Sequence, residues 1–563
     1  MSAIPAHGAR GAQAGAGRDA VVGDHDLAPA GMRLIPDPGT RLVAGGAVLV
    51  GGSPVRVLRL TPAGARQVAS WFAGSPVPDG AGARVLARRV LDAGIAHPQF
   101  AASSSATPGS VMPGSVTSGS TASGLPGPAD VTVVIPVRDR HAELDRCLAG
   151  LRGLPHVIVV DDASADPGAV KRIAASHGAD LIHRPVNGGP GAARNTGLAA
   201  AQTEFVAFLD SDCVPAPGWL AGLLPHFADP AVGAVAPRIV PHQAGRSWLA
   251  RYEGASSTLD MGARPSVVRP GARVPYVPGA ALVVRRSAAG DGFRHGMPVG
   301  EDVDFVWRTA AAGWRVRYEP DAVMGHDHRV TFRAWFARRA DYGTSAAALE
   351  ELHPGAVRPL YASWWTAGAW AAALARRPVT AALLTAAATA LLARRLSRVT
   401  GERWPVPAAA VGPATSWAVD GGFRPSTAHD NPRHLETADN SKKKRWAGQP
   451  AEGAAWRLAV RLAGGGTIAA ARPLGSALSR TWWPAAIPAA LAVPKLRAPL
   501  AALILLPPLL DWADRRPPLD PARYVAARLL DDAAYSLGVW QGCLSRRTAR
   551  PLLPLIGGKR PPG

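Results

Sequence analysis

The run FVAFLDSDCVPAPGWL at residues 205–220 places two carboxylates, Asp210 and Asp212, one residue apart at the end of an apolar stretch. Such a stretch reads as a β-strand, and open α/β sheets collect their ligands at the carboxyl ends of strands. Two acids this close repel each other unless a cation sits between them, and oxygen ligands suit Mg²⁺ or Mn²⁺. Turns and helix caps favour the same residues, so the pair alone does not decide. Other runs end in polar groups as well. VVIPVRDR carries Pro136, Arg138 and Asp139, and VIVVDDAS carries Asp161 and Asp162. Acids at neighbouring strand ends can accept hydrogen bonds from a base N–H or a ribose hydroxyl. NGGPGAARNTG at 187–197 is a glycine loop entering a helix, with Arg194 in its first turns. A helix N-terminus and a guanidinium both favour phosphate.

Further along, GEDVDFVWRTAAAGW opens an apolar-periodic helix with Glu301 and Asp302. Acids there complement the helix dipole. One that faced the metal could instead take a proton from an incoming hydroxyl. VMGHDHRV then offers His326 and His328, either of which would complete a metal shell.

Two nucleotide-binding motifs are excluded. Gly189-Pro190-Gly191 begins a dinucleotide fingerprint, but Arg194 stands where the packing glycine belongs and the loop follows the third strand, not the first. No G-x-x-x-x-G-K-[ST] run is present. The formal charge of +21 comes almost wholly from arginines in an Ala, Gly and Pro background, without an aromatic-studded basic stripe, so nucleic acid is not the expected partner. Three scattered cysteines indicate neither a disulfide framework nor a zinc ribbon, which fits a reducing cytosol. The first twenty residues lack the apolar core of a signal peptide, so the catalytic part is expected inside the cell.

These groups need elements to hold them. Residues 1–26 read as disordered, and 27–98 as strands followed by two helices, a small winged-helix-like module. Residues 99–130 form a Ser/Gly/Pro linker that would leave this module outside the main unit on a flexible tether. From 131 to 354, VTVVIP, HVIVVDD, DLIHR, FVAFLD and VGAVAP alternate with helical patterns, the sign of βαβ units and a mostly parallel sheet. Residues 355–563 are rich in Ala, Leu, Trp and Pro, with a polar, mobile insertion near 420–452. Their apolar pieces are divided by Arg376-Arg377-Pro378 and Pro507-Pro508, and each is short for a bilayer crossing. Helices lying in the membrane plane are the expectation, with a buried soluble layer as the alternative.

In order and spacing these motifs resemble the family 2 glycosyltransferases. The resemblance implies an α/β catalytic domain of the GT-A, nucleotide-diphospho-sugar type over about 131–354. It implies that Asp139 and Asp161 or Asp162 hold uridine and Arg194 the nucleotide. Asp210 and Asp212 would hold the diphosphate through Mg²⁺ or Mn²⁺, and Asp302 would be the base of an inverting transfer. The front module, the segment GHDHRVTFRAWFARRADYGTSAAALEELHPG and the tail RLLDDAAYSLGVWQGCLSRR narrow the resemblance to the glycosyltransferases of mycofactocin systems. There the front module would recognise a peptide, UDP-glucose would be the donor, and the acceptor a peptide-derived redox cofactor extended into a short glucan. The cytoplasmic face of the cell membrane is the expected location. A polysaccharide or lipid glycosyltransferase of the same fold is the alternative. A peptide-binding adaptor with a decayed transferase is disfavoured by the intact acids and Arg194.

Overall fold

A computed structural model describes residues 24–100, 125–243, 245–328, 331–400 and 453–557. Most of 1–26, most of the 99–130 linker and the insertion near 420–452 lie outside the described residues, while Asp24–Asp26, within the stretch expected to be disordered, forms a 3-10 turn.

The front module contains β1 (Arg33–Pro36), β2 (Arg41–Val43), β3 (Val48–Gly51), β4 (Arg56–Arg59), α1 (Pro62–Phe72), α2 (Ala81–Asp92) and β5 (Ala96–Gln99). Strands β2, β3 and β4 form an antiparallel meander, while β1 pairs with β5. Thr61 caps α1 by accepting from the Gly64 N–H, and Pro62 supplies a preset φ at the first helical position. Val68, Trp71, Ala87, Val90 and Leu91 bury the facing stripes of the two helices against Leu34, Leu49 and Ile95.

This module does not hang on a tether. Arg88 of α2 donates from both terminal nitrogens to Asp229 of the main unit, at 2.8 and 2.6 Å, with both side chains almost fully buried. Arg315 reaches back to Asp92 and Arg273 to Asp37. A buried ion pair requires both partners in place, so the seam is closed and the flexible-tether expectation is corrected.

The main sheet comprises β6 (Val131–Val137), β7 (Val157–Asp162), β8 (Asp180–Arg184), β9 (Phe205–Leu209), β10 (Cys213–Pro215), β11 (Val232–Pro241), β12 (Ser266–Val267), β13 (Ala281–Arg285) and β14 (Arg315–His326). Its order is β10-β14-β11-β13-β9-β6-β7-β8, with β12 added on β14. Strands β6 to β9 run parallel, connected by α3 (His141–Ala149), α4 (Pro167–Ser176) and α5 (Gly189–Ala200). The sheet is less parallel than expected, because β13 inserts antiparallel between β9 and β11. Valines, leucines and phenylalanines fill both faces, as a sheet covered on two sides requires.

The boundary expected at 354 is absent from the packing. After α6 (Trp219–Leu223), α7 (Trp248–Ser256) and α8 (Glu301–Ala311), the long α9 (Phe332–Leu352) lies against the Pro521–Ser545 helix. Added β-carbons on Gly343, Gly538 and Gly542 would fall 2.1, 1.8 and 2.5 Å from backbone oxygens of the opposite helix, so only glycine permits this crossing. Buried Arg339 of α9 pairs with Glu253 and Asp531, and the Tyr252 hydroxyl donates to Asp531. The tail is thus part of the catalytic unit.

Outside that pair stand helices Pro378–Thr400 and Pro494–Arg515. The shortness and the break at Pro507-Pro508 expected from sequence are both corrected: each helix is continuous and, by length and composition, long enough to cross a bilayer. Pro507 lacks an N–H and so frees the Leu503 carbonyl, four residues back. The backbone of Gly475 closes on that oxygen, since a β-carbon there would lie 2.1 Å from it. On these two helices Val379, Leu383, Leu505 and Leu506 remain exposed.

Candidate active site

The floor of the site is the turn after β9. The Asp210 N–H donates to the Ala280 carbonyl of the approach to β13, and the Cys213 N–H closes the turn on the Asp210 carbonyl. Strand β10 pairs antiparallel with β14, which sets Cys213 opposite His326. Asp212 Oδ1 therefore comes within 3.4 Å of His326 Nε2.

Helix α5 forms one wall. Its entrance is clamped by Asp162, whose carboxylate accepts from the Gly188 and Gly189 N–H groups at 3.0 and 2.7 Å and pairs with Arg184. Gly197 lets the helix press onto β6, for a β-carbon there would meet Val134 at 2.2 Å. The packing glycine missing at position 194 is thus supplied three residues later. Arg194 is free to turn inward, where it lies buried and donates to Asp210 Oδ1 at 2.6 Å and Glu301 Oε1 at 2.9 Å.

Helix α8 forms the other wall. Gly300 (φ +83°) starts it, and a β-carbon there would strike Ser345 of α9. Glu301 is buried, and that burial together with neighbouring Asp302 lifts its carboxyl well above the usual range, against the pull of Arg194. Asp302 accepts from the Gly279 N–H at 2.8 Å and from the Val303 N–H at 2.8 Å. Gly279 has no room for a side chain: its β-carbon would lie 2.9 Å from that of Asp302 and 3.3 Å from the Arg194 guanidinium carbon. Burial costs Arg194 less than Asp210, Glu301 and Asp302 return, and its charge is held more firmly than usual.

The structure thus brings Asp210, Arg194, Glu301 and Asp302 together, with Asp212 beside them. Pro136 is buried in β6 and Arg138 projects outward. Asp139 sits in the left-handed region (φ +55°), with its N–H on the Ser164 hydroxyl and its carboxylate accepting from the Ala165 N–H. Asp161 is fully buried. Burial would raise its pKa, but the Ser164 hydroxyl, His183 and the Ser164 N–H bring it below the usual carboxylate range. Asp161 and Asp162 therefore spend their carboxylates on protein donors. His328 stands behind His326, ring centres 5.5 Å apart, with its Nε2 buried and unpartnered, and burial pushes its pKa down to about 4.

Among the described residues, no three His, Cys, Asp or Glu side chains are already gathered as metal ligands. Asp212 is instead paired with Arg140, and Asp210 with Arg194. The donor chemistry still fits a hard divalent cation: two carboxylates and an imidazole share one mouth, and His326 Nδ1 is buried without a partner.

Residues 132–293 match the model of glycosyl transferase family 2. The pre-mycofactocin glycosyltransferase of Mycobacterium tuberculosis is 38% identical over 538 residues, covering 94% of this chain and 98% of that protein. The chain belongs to glycosyl transferase family 2. It is a glycosyltransferase with a GT-A-like fold. The O-antigen chain rhamnosyltransferase RfbN of Salmonella typhimurium is 29% identical over 161 residues, which cover 27% of this glycosyltransferase and 51% of that one. Among solved structures, the mannosyltransferase PcManGT from Pyrobaculum calidifontis, in complex with GDP-Man and Mn²⁺, is 25% identical. That match covers 46% of this chain and 75% of the other, with a TM-score of 0.32.

Four residues of the glycosyltransferase site escape a reading of sequence. Gly279 and Arg140 are noted above. Asp304, fully buried, anchors α8 by accepting from His353 at 2.9 Å, Arg308 at 2.8 Å and Arg294 at 3.3 Å. Arg338 of α9 lies over the Tyr342 ring, 4.8 Å from its centre, close enough for its charge to be felt at Asp210. Of these, the spacing of Asp304 and Arg308 at i, i+4 is the one signal visible in sequence.

Proposed function

We propose that this chain is an inverting, metal-dependent glycosyltransferase that moves glucose from UDP-glucose onto a ribosomal-peptide-derived redox cofactor, a mycofactocin precursor, and extends it into a short glucan. The observation that carries the chemistry is the single cluster of Asp302, Arg194 and Asp210, held by a glycine that admits no side chain. The end-to-end similarity to the pre-mycofactocin glycosyltransferase supports the acceptor.

Asp210, Asp212 and His326 would hold Mg²⁺ or Mn²⁺, which supplies positive charge to the departing diphosphate. Arg194 keeps Asp210 aimed and brings its own positive charge to the same edge. Asp302, fixed by two backbone N–H groups, takes the proton of the acceptor hydroxyl. The acceptor oxygen bonds to the sugar's anomeric carbon as the carbon–oxygen bond to phosphate breaks, and the electron pair leaves on UDP. Attack opposite the leaving group inverts configuration, and Glu301, tied to Arg194, steadies the base's neighbour.

The exposed leucines of the Pro378–Thr400 and Pro494–Arg515 helices, with exposed Trp364 and Trp365 nearby, support attachment to the cytoplasmic face of the membrane. The purified chain, incubated with the pre-mycofactocin peptide product and a panel of nucleotide sugars with and without chelator, decides the reading by product mass. Hexose addition from UDP-glucose that stops with chelator is expected. Transfer to lipid or polysaccharide alone would refute the acceptor.

A further inference from the structure

The two acids of the D-x-D turn are neutralised by two arginines of different character. Arg194 is enclosed, its side chain 3% exposed, and it is bound on both sides by Asp210 and Glu301. Arg140 is 35% exposed and among the described residues pairs with Asp212 alone, while Asp212 is also approached by His326. Arg140 is delivered there by design of the backbone. Asp139 turns the chain in the left-handed region and is fastened through its N–H and its carboxylate to the Ser164–Ala165 segment. Arg140 then stands at the N-cap of α3, with no capping role for its side chain.

A cation bound to Asp212 competes with any other cation for the same carboxylate. Arg194 cannot leave without stranding buried Glu301 unpaired, whereas Arg140 can swing into solvent at little cost. We infer that Arg140 is an exchangeable counter-ion: it holds Asp212 until a divalent cation arrives with the nucleoside diphosphate, then yields the carboxylate and places its guanidinium on the diphosphate. Arg140 is in this sense a positioning residue that couples metal entry to donor entry. Metal alone binds against it, and metal with diphosphate binds with it. The inference rests on the metal-dependent reading above.

Mn²⁺ binding to the full chain, counted by the free-ion electron paramagnetic resonance signal, tests this directly. With Mn²⁺ alone, Arg140→Ala should bind about tenfold more tightly than wild type, because one charge-assisted competitor is gone. With UDP added, the order should reverse, since the variant lacks the guanidinium that meets the diphosphate. Arg140→Lys, which keeps the charge without the fork, should fall between. A merely structural arginine would not raise metal affinity when removed. Equal or weaker Mn²⁺ binding by Arg140→Ala without UDP overturns the inference while leaving the metal reading intact. Failure of wild type to bind Mn²⁺ even with UDP overturns both.

Discussion

Around Asp210 and along the two outer helices, the chain meets water in opposite ways. In the active site every named acid is held by a protein donor, Asp210 and Glu301 sharing Arg194, and the walls are brought together by glycines at 191, 197, 279 and 300. On the outer helices Leu396, Leu500 and Leu503 pack inward, while Leu383, Leu391, Leu505, Leu506, Leu509 and Leu510 stay exposed, and the ion pairs of Asp511 and Asp514 sit at the C-terminal end of Pro494–Arg515. The first region closes its acids on protein donors and leaves only ring and guanidinium nitrogens of His326, His328 and Arg194 buried without a partner among the described residues. The second presents apolar area of the kind that marks an interaction surface. The two regions are therefore open to separate change, and three variants sharpen the contrast.

The largest effect belongs to the site. Asp302→Asn keeps the shape that accepts the Gly279 N–H but cannot take a proton, and kcat should fall by about 10²–10⁴. Donor affinity, measured by titration with UDP-glucose, should change little. A matching collapse of donor binding would make Asp302 a ligand of the nucleotide instead.

Next comes the helix that carries it. Burial alone would raise the Asp304 pKa, yet His353, Arg308 and Arg294 hold it down at about 2. A carboxyl depressed in the folded state contributes stability above its unfolded pKa and loses it as pH falls toward the folded value. Wild type should thus lose about 2 kcal/mol between pH 4 and pH 2 from this group. Asp304→Asn should be less stable at neutral pH by about that amount and flatter across the same window. Denaturant melts at several pH values would show this, and an unchanged acid slope would remove Asp304 as the cause.

The smallest effect on catalysis is expected on the outer helices. Leu383→Asp with Leu506→Asp alters exposed positions, so turnover of a soluble acceptor should stay within about twofold. Sedimentation with anionic vesicles should fall sharply, because charge in an interfacial apolar face is costly. Vesicle binding that survives the double change would place attachment elsewhere.

Sequence and structure agree where the signal is local. Strand ends at Asp139, Asp162 and Asp210 are legible because apolar runs stop there, and the helices beginning at Pro62 and Glu301 carry their own start signals. What sequence cannot display is a partner far along the chain. Arg140 meets Asp212, Arg88 meets Asp229 and Gly279 makes room for Asp302, none of which has a periodicity to betray it. Pro507 misleads for a related reason. A proline reads as a break until another segment, here the backbone at Gly475, packs against the carbonyl it releases. The parallel sheet was overestimated because a short ALVVR strand shows composition but not direction.

The Arg88–Asp229 seam changes what the front module does to anything it grips. A leash lets its load wander through a volume, and reach is then a matter of chance and linker length. A mount bolted through a buried ion pair, with Arg315 and Arg273 as side braces, behaves as a ruler. Anything held on that mount would stand at one offset from Asp302, and loosening the bolt would blur that offset.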